Sequence, residues 1–425
     1  MTAEVAAPMG AAVARGAERS RILVYIGLVT LFVTFANPGG GLVAIPVSFL
    51  LKNKLHLPSH DVANFRLAAA IPLYLGFLFG FARDRWNLWR RKDRGLLMTF
   101  GLAGALTYAA FAAAPATYWM LMIAILFGTG AYLFTYAAKA GLASQIGQQL
   151  NMSGQVATVW YVLLLIPGLL AYFFGGWLSQ RLEGGDADTA AKTLFLVVAG
   201  VMLVIALIGV WRPKPVFDRL HAEAAPSSAL ADARLILRHW PIYPALGCWF
   251  LFSFSPGSDT PLQYYLQNTL HASDADWGTW NAIFSGSFIP TTLLFGMLCR
   301  RISLRNLLIW GTVVAVPQMV PLAFIHTVGQ SFAAAAYIGL TGGVASAAYI
   351  AFLIRSCPPG LQGTTMLMAT SLYWVAIRFG DVLGTRLYEN AGGFVSCVVA
   401  ITAVYALIVP VVLAAPRALI DTPDA

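Results

Sequence analysis

Charged residues are scarce in this sequence. Only 11% of its 425 residues are Asp, Glu, Lys or Arg, whereas 59% are hydrophobic. Soluble domains carry about 25% charged residues, so this chain has too few charges to cover a water-facing surface. Its apolar residues come in runs of about 20, the length that crosses a bilayer as a helix. They do not form the short alternating segments of an outer-membrane barrel. The sequence therefore predicts an all-α integral membrane protein.

The sequence also lacks the motifs of several functional classes. Its four cysteines contain no Cys-x-x-Cys pair, which argues against a disulfide framework or a zinc site. No Walker loop and no acidic cluster for metal and pyrophosphate occurs. We therefore predict no enzyme activity, no metal and no cofactor. The net charge of +9 does not indicate nucleic-acid binding, because the basic residues lie at the ends of the apolar runs.

Twelve apolar runs can be counted along the chain. The predicted spans 1–12 cover residues 22–51, 62–82, 95–114, 117–140, 154–178, 193–211, 241–269, 277–299, 304–325, 330–354, 364–388 and 393–415. The longest connection lies between spans 6 and 7. We therefore predict a six-helix bundle over residues 1–211, a cytoplasmic linker over 212–240 and a second six-helix bundle over 241–425.

Basic residues are distributed unevenly between two sets of connections. The two termini, the even-numbered connections and the span ends beside them carry 20 Lys and Arg residues, whereas the odd-numbered ones carry 5. Basic residues that flank membrane helices favour the cytoplasmic side. This bias predicts an inner-membrane protein with both termini and the linker 212–240 in the cytoplasm.

The two halves repeat short motifs in the same order. The Leu-x-Asn-x-Leu-His motif at residues 51–56 recurs at residues 266–271, and Asn-Pro-Gly at 37–39 is matched by Ser-Pro-Gly at 255–257. A direct repeat of six spans predicts two bundles related by an axis along the membrane normal. The Pro-Gly pairs predict that spans 1 and 7 are broken helices beside a central cavity. An ordinary proline kink is the alternative.

The connection after span 2 contains a short glycine-to-arginine motif. Residues 80–85 read Gly-Phe-Ala-Arg-Asp-Arg, and more basic residues follow. This pattern resembles the cytoplasmic signature of the major facilitator superfamily. The resemblance implies that Gly80 permits close helix approach and that Asp84 latches the cytoplasmic side. The basic residues predicted to complete the latch are Arg85, Arg90 and Arg91. In the second half Arg300 replaces Asp84, which predicts a degenerate latch there; the alternative is that the arginines only set topology.

Ionisable residues inside the predicted spans are candidates for function, because charge is costly in lipid. Arg378 in span 11 could pair with Asp259 in span 7 or with Asp381, three residues along its own helix. Arg66 and Lys139 lie near span ends, where extension of the side chain to water is the simpler explanation. An aromatic ring in span 7 could stack on a planar substrate or anchor the helix. The predicted substrate-binding or coupling residues are Asp259, Arg378, Asp381, Lys139, Arg66 and Tyr264.

Longer segments resemble one branch of the superfamily. Residues 254–270 are similar to the seventh-helix region of folate–biopterin transporters, and residues 357–365 are similar to that family's Pro-x-Gly-x-x-(Gly/Ala)-Thr segment before helix 11. Residues 47–52 and 72–77 extend the resemblance into the first half. The resemblance implies the major facilitator fold, with twelve transmembrane helices in two pseudo-symmetric six-helix bundles, and transport by alternating access.

These observations predict a secondary transporter that moves a small organic solute across the inner membrane. The basic groups inside the spans indicate an anionic or zwitterionic substrate, and Asp259 or Asp381 could carry a coupling proton. The expected partners are this substrate, protons or another coupling ion, and the lipid bilayer, with the protein a monomer. The alternative from another class is a non-transporting membrane protein that binds pigment or assists complex assembly, as in related light-harvesting assembly proteins.

Overall fold

The protein is helical throughout the part of the chain that the computed structural model describes. These residues are 16–57, 59–182, 184–218, 220 and 229–424, and they contain no strand. The prediction of an all-α membrane fold is confirmed. Two predicted cytoplasmic segments, the N-terminus before residue 16 and the middle of the linker at 221–228, lie outside the described residues.

Helical segments follow one another in an order that matches the twelve predicted spans. In the first half, span 1 comprises Gly16–Phe35, Gly41–Phe49 and a π-helical turn at Leu50–Lys54; span 2 comprises Ser59–Ala69, Ile71–Tyr74 and Gly76–Arg85; spans 3–6 are Asp93–Phe111, Tyr118–Gln149, Ser153–Arg181 and Ala187–Val210. In the second half, span 7 comprises Ile242–Ser253, Thr260–Tyr264 and a π-helical turn at Tyr265–Thr269; span 8 is Asp274–Leu298; span 9 comprises Leu304–Ala315 and a 3-10 helix at Val316–Phe324; spans 10 and 11 are Val328–Ser356 and Gln362–Asn390; span 12 comprises Phe394–Ala406 and Ile408–Leu413. Short helices outside the spans are Leu88–Arg90, Lys214–Phe217, Ala229–Arg238 and Arg417–Ile420.

Most of these spans are long and apolar enough to cross a bilayer. Within the described residues, nine helices have the length and the apolar composition of a membrane span. Spans 1, 3 and 7 complete the set of twelve; spans 1 and 7 are the two that Pro-Gly pairs interrupt. The count is therefore consistent with twelve crossings.

Spans 1 and 7 are broken where the Pro-Gly pairs predict. In span 1 the helix stops at Phe35 and resumes at Gly41, and the amide of Gly39 donates to the side-chain oxygen of Asn37 at 3.0 Å. In span 7, Gly257 has a φ of 99°, and a Cβ there would lie 2.4 Å from the Cβ of Cys397. A glycine is needed at this position both for the backbone conformation and for the close approach of span 12.

The repeated Leu-x-Asn-x-Leu-His motif has the same local structure in both halves. Each copy overlaps a π-helical turn, at Leu50–Lys54 and at Tyr265–Thr269. Each turn is followed by a histidine in the left-handed region, His56 with a φ of 52° and His271 with a φ of 55°. π-Helical turns are rare, so their recurrence at equivalent positions supports an internal repeat of the backbone and not only of the sequence.

Small residues bring the spans of each half close together. A Cβ on Gly101 in span 3 would lie 2.7 Å from the backbone nitrogen of Ala206 in span 6. A Cβ on Gly339 in span 10 would lie 2.5 Å from the Cβ of Ser287 in span 8. Such contacts are the usual way in which membrane helices gain packing energy, because lipid provides no hydrophobic drive for their association.

The bundle has one end that is rich in basic residues, which we name the basic end. It carries the connections 86–92 and 299–303, the described residues of the connection between spans 6 and 7 (211–218, 220 and 229–241), and the segment 414–424 after span 12. Polar contacts join these elements: Arg85 pairs with Asp232 at 2.7 Å, and the amide of Asp424 donates to the carbonyl of Cys299 at 2.9 Å. The basic end is the one for which the distribution of Lys and Arg predicts a cytoplasmic location.

Candidate functional site

A cavity of about 440 Å³ lies between the two halves of the bundle. Spans 1, 2 and 4 line it from the first half, and span 11 lines it from the second. Its walls are mainly apolar, with a few polar groups: Ser48, Arg66 and Thr129 from the first half, and Arg378 with Trp374 from the second. This size and this combination of apolar walls with few polar groups are typical of small-molecule sites.

Arg66 is oriented by the neighbouring span. Its Nη2 donates to the hydroxyl of Ser48 at 2.8 Å, and that hydroxyl donates in turn to the carbonyl of Ala44 at 2.7 Å. A guanidinium has five N–H donors in a rigid fork, so this bond fixes the group while other donors remain for a ligand. The side chain of Arg66 is exposed and lines the cavity, which is compatible with the extension to water expected from sequence.

Arg378 forms neither of its two predicted ion pairs. Within the described residues, no carboxylate oxygen lies within the 4.0 Å of an ion pair from its guanidinium. Asp381 accepts hydrogen bonds from the amide and the hydroxyl of Thr260 instead, at 3.0 and 2.9 Å. Its carboxylate thereby caps the short helix that follows the break in span 7. Spacing along span 11 placed Arg378 and Asp381 on one face but could not show that span 7 offers Asp381 better donors.

Asp259 and Tyr264 flank the same short helix of span 7. Asp259 is exposed, immediately precedes the helix and makes no capping hydrogen bond with its side chain. Tyr264, at the end of the helix, is 53% exposed and is not one of the residues that line the cavity. The structure therefore places Asp259 near the Thr260–Asp381 contact and leaves Tyr264 outside the site.

Lys139 is enclosed by aromatic rings. Only 1% of the residue is exposed, and its Nζ lies 3.5 Å from the ring centroid of Trp160 and 4.1 Å from that of Tyr136. Cation–π attraction to two rings stabilises an ammonium that is removed from water. Extension to water, the simpler explanation from sequence, is therefore wrong for Lys139.

One face of span 4 connects the cavity with Lys139. Ile125 and Thr129 line the cavity, and Tyr132, Tyr136 and Lys139 follow at spacings of three and four residues. Residues at these spacings share one face of an α-helix. Lys139 therefore lies on the cavity-facing side of span 4, between the cavity and the basic end.

Asp84 holds the first turn of span 11. Its Oδ1 accepts from the amide of Gly363 at 2.9 Å, and its Oδ2 accepts from the amide and the hydroxyl of Thr364, each at 2.6 Å. The first amides of a helix lack partners within the helix and carry partial positive charge, so a carboxylate is well suited to cap them. Because Asp84 belongs to the first half and span 11 to the second, this contact joins the halves at the basic end.

Arg83 and Gly80 complete the contact of Asp84. The Nη1 of Arg83 donates to Asp84 at 2.8 Å, while its Nε and Nη2 donate to the two oxygens of Asp93 at 2.6 and 2.7 Å. A Cβ on Gly80 would lie 2.3 Å from the carbonyl oxygen of Gly363. The glycine thus allows span 2 to approach span 11 closely enough for the carboxylate to reach the helix terminus.

The other predicted latch residues lie outside this contact. Arg85 pairs with Asp232 in the helix Ala229–Arg238, and Arg90 and Arg91 are exposed in the connection after span 2. The arginine of the contact is Arg83, which was not among the predicted latch residues. Its signal was the position beside Asp84 on the motif helix, but its counter-charge, Asp93, comes from the start of span 3.

The chain is similar to known membrane transporters over most of its length. Residues 28–380 match the family model described as Major Facilitator Superfamily. Sugar efflux transporter B of Salmonella typhimurium (strain LT2) is 22% identical over 366 residues, which cover 84% of this chain and 86% of that protein.

Three solved structures share the fold. The crystal structure of the human organic anion transporter MFSD10 (TETRAN) has a TM-score of 0.67 at 15% identity and covers 94% of this chain and 100% of its own. The major facilitator transporter FucP in the outward conformation has a TM-score of 0.66 at 14% identity, covering 93% and 99%. The proton:xylose symporter XylE bound to 6-bromo-6-deoxy-D-glucose has a TM-score of 0.67 at 14% identity, covering 92% and 95%.

Proposed function

Because the chain belongs to the Major Facilitator Superfamily, whose members are transporters and not enzymes, we propose that it carries a small organic anion through the cavity between its halves. One observation carries the proposal: Arg66 of the first half and Arg378 of the second line the same cavity. Two cations that face one cavity repel each other, and an anion between them removes that repulsion and gains charge-assisted hydrogen bonds. The alternating access that is general to the fold then moves the anion.

The shape of the cavity narrows the class of anion. Its volume of about 440 Å³ fits a small solute, and the flat ring of Trp374 beside Arg378 suits a planar or cyclic group. A planar carboxylate, including a pterin-like one as the motifs at 254–270 and 357–365 imply, meets these conditions. The solved neighbours do not select one substrate class, because they include both an organic anion transporter and a xylose symporter.

Lys139 extends the proposed path toward the basic end. In this structure its ammonium is enclosed by Tyr136 and Trp160, which belong to the same half. When the halves separate at the basic end, the second half moves away from this face of span 4 and the ammonium gains access to water. We propose that Lys139 then attracts the anion, so that Arg378 and Lys139 bind it in turn.

We propose that Asp259 carries the coupling proton. Both oxygens of Asp381 are engaged by Thr260, whereas the side chain of Asp259 makes no capping hydrogen bond and is exposed. A carboxylate beside the cavity cation Arg378 loses part of its electrostatic stabilisation when an anionic substrate neutralises that cation. Substrate binding would thus favour protonation of Asp259, which links proton and substrate movement.

The second candidate substrate is a neutral sugar, which the name of the curated relative favours. Arginine, serine and tryptophan side chains also bind sugars, through hydrogen bonds and stacking. The two candidates differ in one respect: a neutral sugar does not need a cation, whereas an anion does. A non-transporting pigment-binding or assembly protein is the third possibility, and it predicts no flux.

The experiment measures binding and flux with the purified protein. Thermal shift against small carboxylates, phosphate esters and neutral sugars identifies a ligand, and flux of that ligand is then measured in proteoliposomes. We expect an anion to bind and to be transported, and Arg378→Gln or Arg66→Gln to weaken its binding by about tenfold or more, the factor for loss of a hydrogen bond to a charged group. Arg386→Gln, an exposed arginine on span 11 outside the cavity, is the matched control.

Two outcomes would contradict the proposal. A neutral sugar that binds equally well to the wild type and to Arg378→Gln would identify a sugar transporter. A ligand that binds but shows no flux would identify a binding or assembly protein. We also propose that the protein is a monomer in the inner membrane with its basic end in the cytoplasm.

A further inference from the structure

The second half has no carboxylate at the sequence position that corresponds to Asp84 of the first half. The repeat that relates Gly80 to Gly296 places Arg300 at the position of Asp84. Span 5, the fifth span of its half as span 11 is of the other, therefore receives no carboxylate from span 8. By sequence, the second contact between the halves is degenerate.

The structure nevertheless places a carboxylate at the start of span 5. Asp424, in the segment after span 12, accepts from the amides of Gly154 and Gln155 at 2.7 and 3.1 Å and from the hydroxyl of Ser153 at 3.0 Å. The Nη2 of Arg355 at the end of span 10 donates to the same carboxylate at 2.8 Å. The side chain of Asp424 is fully buried.

The contacts of Asp424 and Asp84 have the same composition. Each carboxylate accepts from two consecutive amides in the first turn of a span, from one hydroxyl and from one arginine: Gly363, Thr364 and Arg83 for Asp84, and Gly154, Gln155, Ser153 and Arg355 for Asp424. Each also joins opposite halves, since Asp84 reaches from the first to the second and Asp424 from the second to the first. Both lie at the basic end.

The segment that carries Asp424 is fixed to the second half. The Nη1 of Arg355 donates to the carbonyls of Leu419 and Thr422 at 2.9 and 2.8 Å. The amide of Asp424 donates to the carbonyl of Cys299, the last residue before Arg300. The segment therefore brings its carboxylate to the end of span 8, beside the position from which the repeat would have supplied one.

We infer that Asp424 replaces the carboxylate that Arg300 has displaced, and that Asp84 and Asp424 together hold the basic end closed. The segment 414–424 is accordingly part of the transport machinery: its carboxylate must leave span 5 each time the basic end opens. Buried charge-assisted hydrogen bonds of this kind stabilise the closed state strongly, and a buried donor or acceptor that loses its partner costs free energy. The inference depends on alternating access and not on the identity of the substrate.

Hydrogen–deuterium exchange of the full-length protein in lipid nanodiscs, without substrate, tests this inference. The reporters are peptides that cover residues 153–157 and 361–366, the two capped first turns. Asp424→Asn should accelerate exchange in both peptides by about tenfold or more, the factor for loss of a hydrogen bond to a charged group. Asp84→Asn should accelerate the same two peptides, because the halves separate as one step.

Asp421→Asn is the matched control. Asp421 lies three residues earlier, is half exposed and pairs with Arg305 at 3.7 Å outside the contact, so its substitution should leave both peptides unchanged. Acceleration confined to residues 153–157 would show that Asp424 caps span 5 only locally. No acceleration in either peptide would show that Asp424 does not stabilise the closed basic end. Either result overturns the inference. If Asp424→Asn does not fold, Arg355→Gln must accelerate both peptides, and its failure to do so has the same meaning.

Discussion

Arg83 and Asp84 are neighbours in the chain, yet they connect different elements. Arg83 donates to two carboxylates of its own half, those of Asp84 and Asp93. Asp84 accepts from the amides of Gly363 and Thr364 in the other half. The motif revealed that a carboxylate was needed after span 2. It could not reveal the partner, because Asp84 and Thr364 are 280 positions apart and no local pattern links them.

We expect Asp84→Ala to slow transport at least about tenfold while substrate binding and expression remain largely intact. The substitution removes three hydrogen bonds from the first turn of span 11 and leaves Arg83 one carboxylate fewer, so the closed state of the basic end is populated less. Flux in proteoliposomes and ligand binding in detergent measure the two properties separately. Asp218→Ala, which removes an exposed pair with Arg212 at the basic end, is the control. Unchanged flux in Asp84→Ala would show that the contact is not a latch.

We expect different effects from removing the carboxylates of Asp259 and Asp381. Asp259→Asn should retain substrate binding and exchange but lose accumulation driven by a pH gradient, because an amide cannot carry the proton. Asp381→Asn should instead lower thermal stability, because asparagine keeps only one of the two oxygens that accept from the amide and the hydroxyl of Thr260, and because it loses the negative charge that caps the helix. Uptake with and without a pH gradient, together with melting temperature, separates the two roles. Normal pH-driven uptake by Asp259→Asn would remove it from coupling.

Spans could be located from sequence because hydrophobic length and Pro-Gly breaks are local properties. Span 7, predicted over 241–269, begins with Ile242 and ends with Thr269, and its break coincides with residues 254–259. The second half of span 9 was not predicted as a 3-10 helix at Val316–Phe324, although Pro317 and Pro321 remove two backbone donors there. The helix Ala229–Arg238 was also missed, because a short amphipathic helix in a connection has no apolar run.

The approach of span 2 to span 11 depends on Gly80. We expect Gly80→Ala to reduce transport as Asp84→Ala does, although alanine favours helix formation, because its Cβ would meet the Gly363 carbonyl at 2.3 Å. The obstacle is backbone, which cannot rotate away as a side chain can. Gly168→Ala in span 5, where a Cβ meets nothing within 4 Å, is the matched control and should be as active as the wild type. Full flux in Gly80→Ala would mean that the two spans can separate without loss of function.

At the scale of the whole molecule, the repeat is more complete in the backbone than in the side chains. Both halves have a broken first span and a π-helical turn at the same point, and both have a carboxylate on the first turn of their fifth span. The carboxylates come from unrelated segments, span 2 and the segment after span 12. Sequence comparison of the halves finds the first kind of symmetry but misses the second, because the function of the group is conserved between halves while its position in the chain is not.

The orientation of the molecule is the remaining prediction at this scale. The bias of 20 basic residues against 5 predicts that the basic end lies in the cytoplasm. A membrane-impermeant maleimide added to intact cells should label Gly184→Cys at the opposite end, which is exposed and in open space. It should not label Arg234→Cys in the helix Ala229–Arg238 until the cells are permeabilised. The four native cysteines are buried and give little background. Gly184 is preferable to Asp186, whose side chain caps span 6 through the amide of Thr189. Labelling of Arg234→Cys but not Gly184→Cys in intact cells would show the reverse of the predicted topology, with the contacts of Asp84 and Asp424 on the outer side.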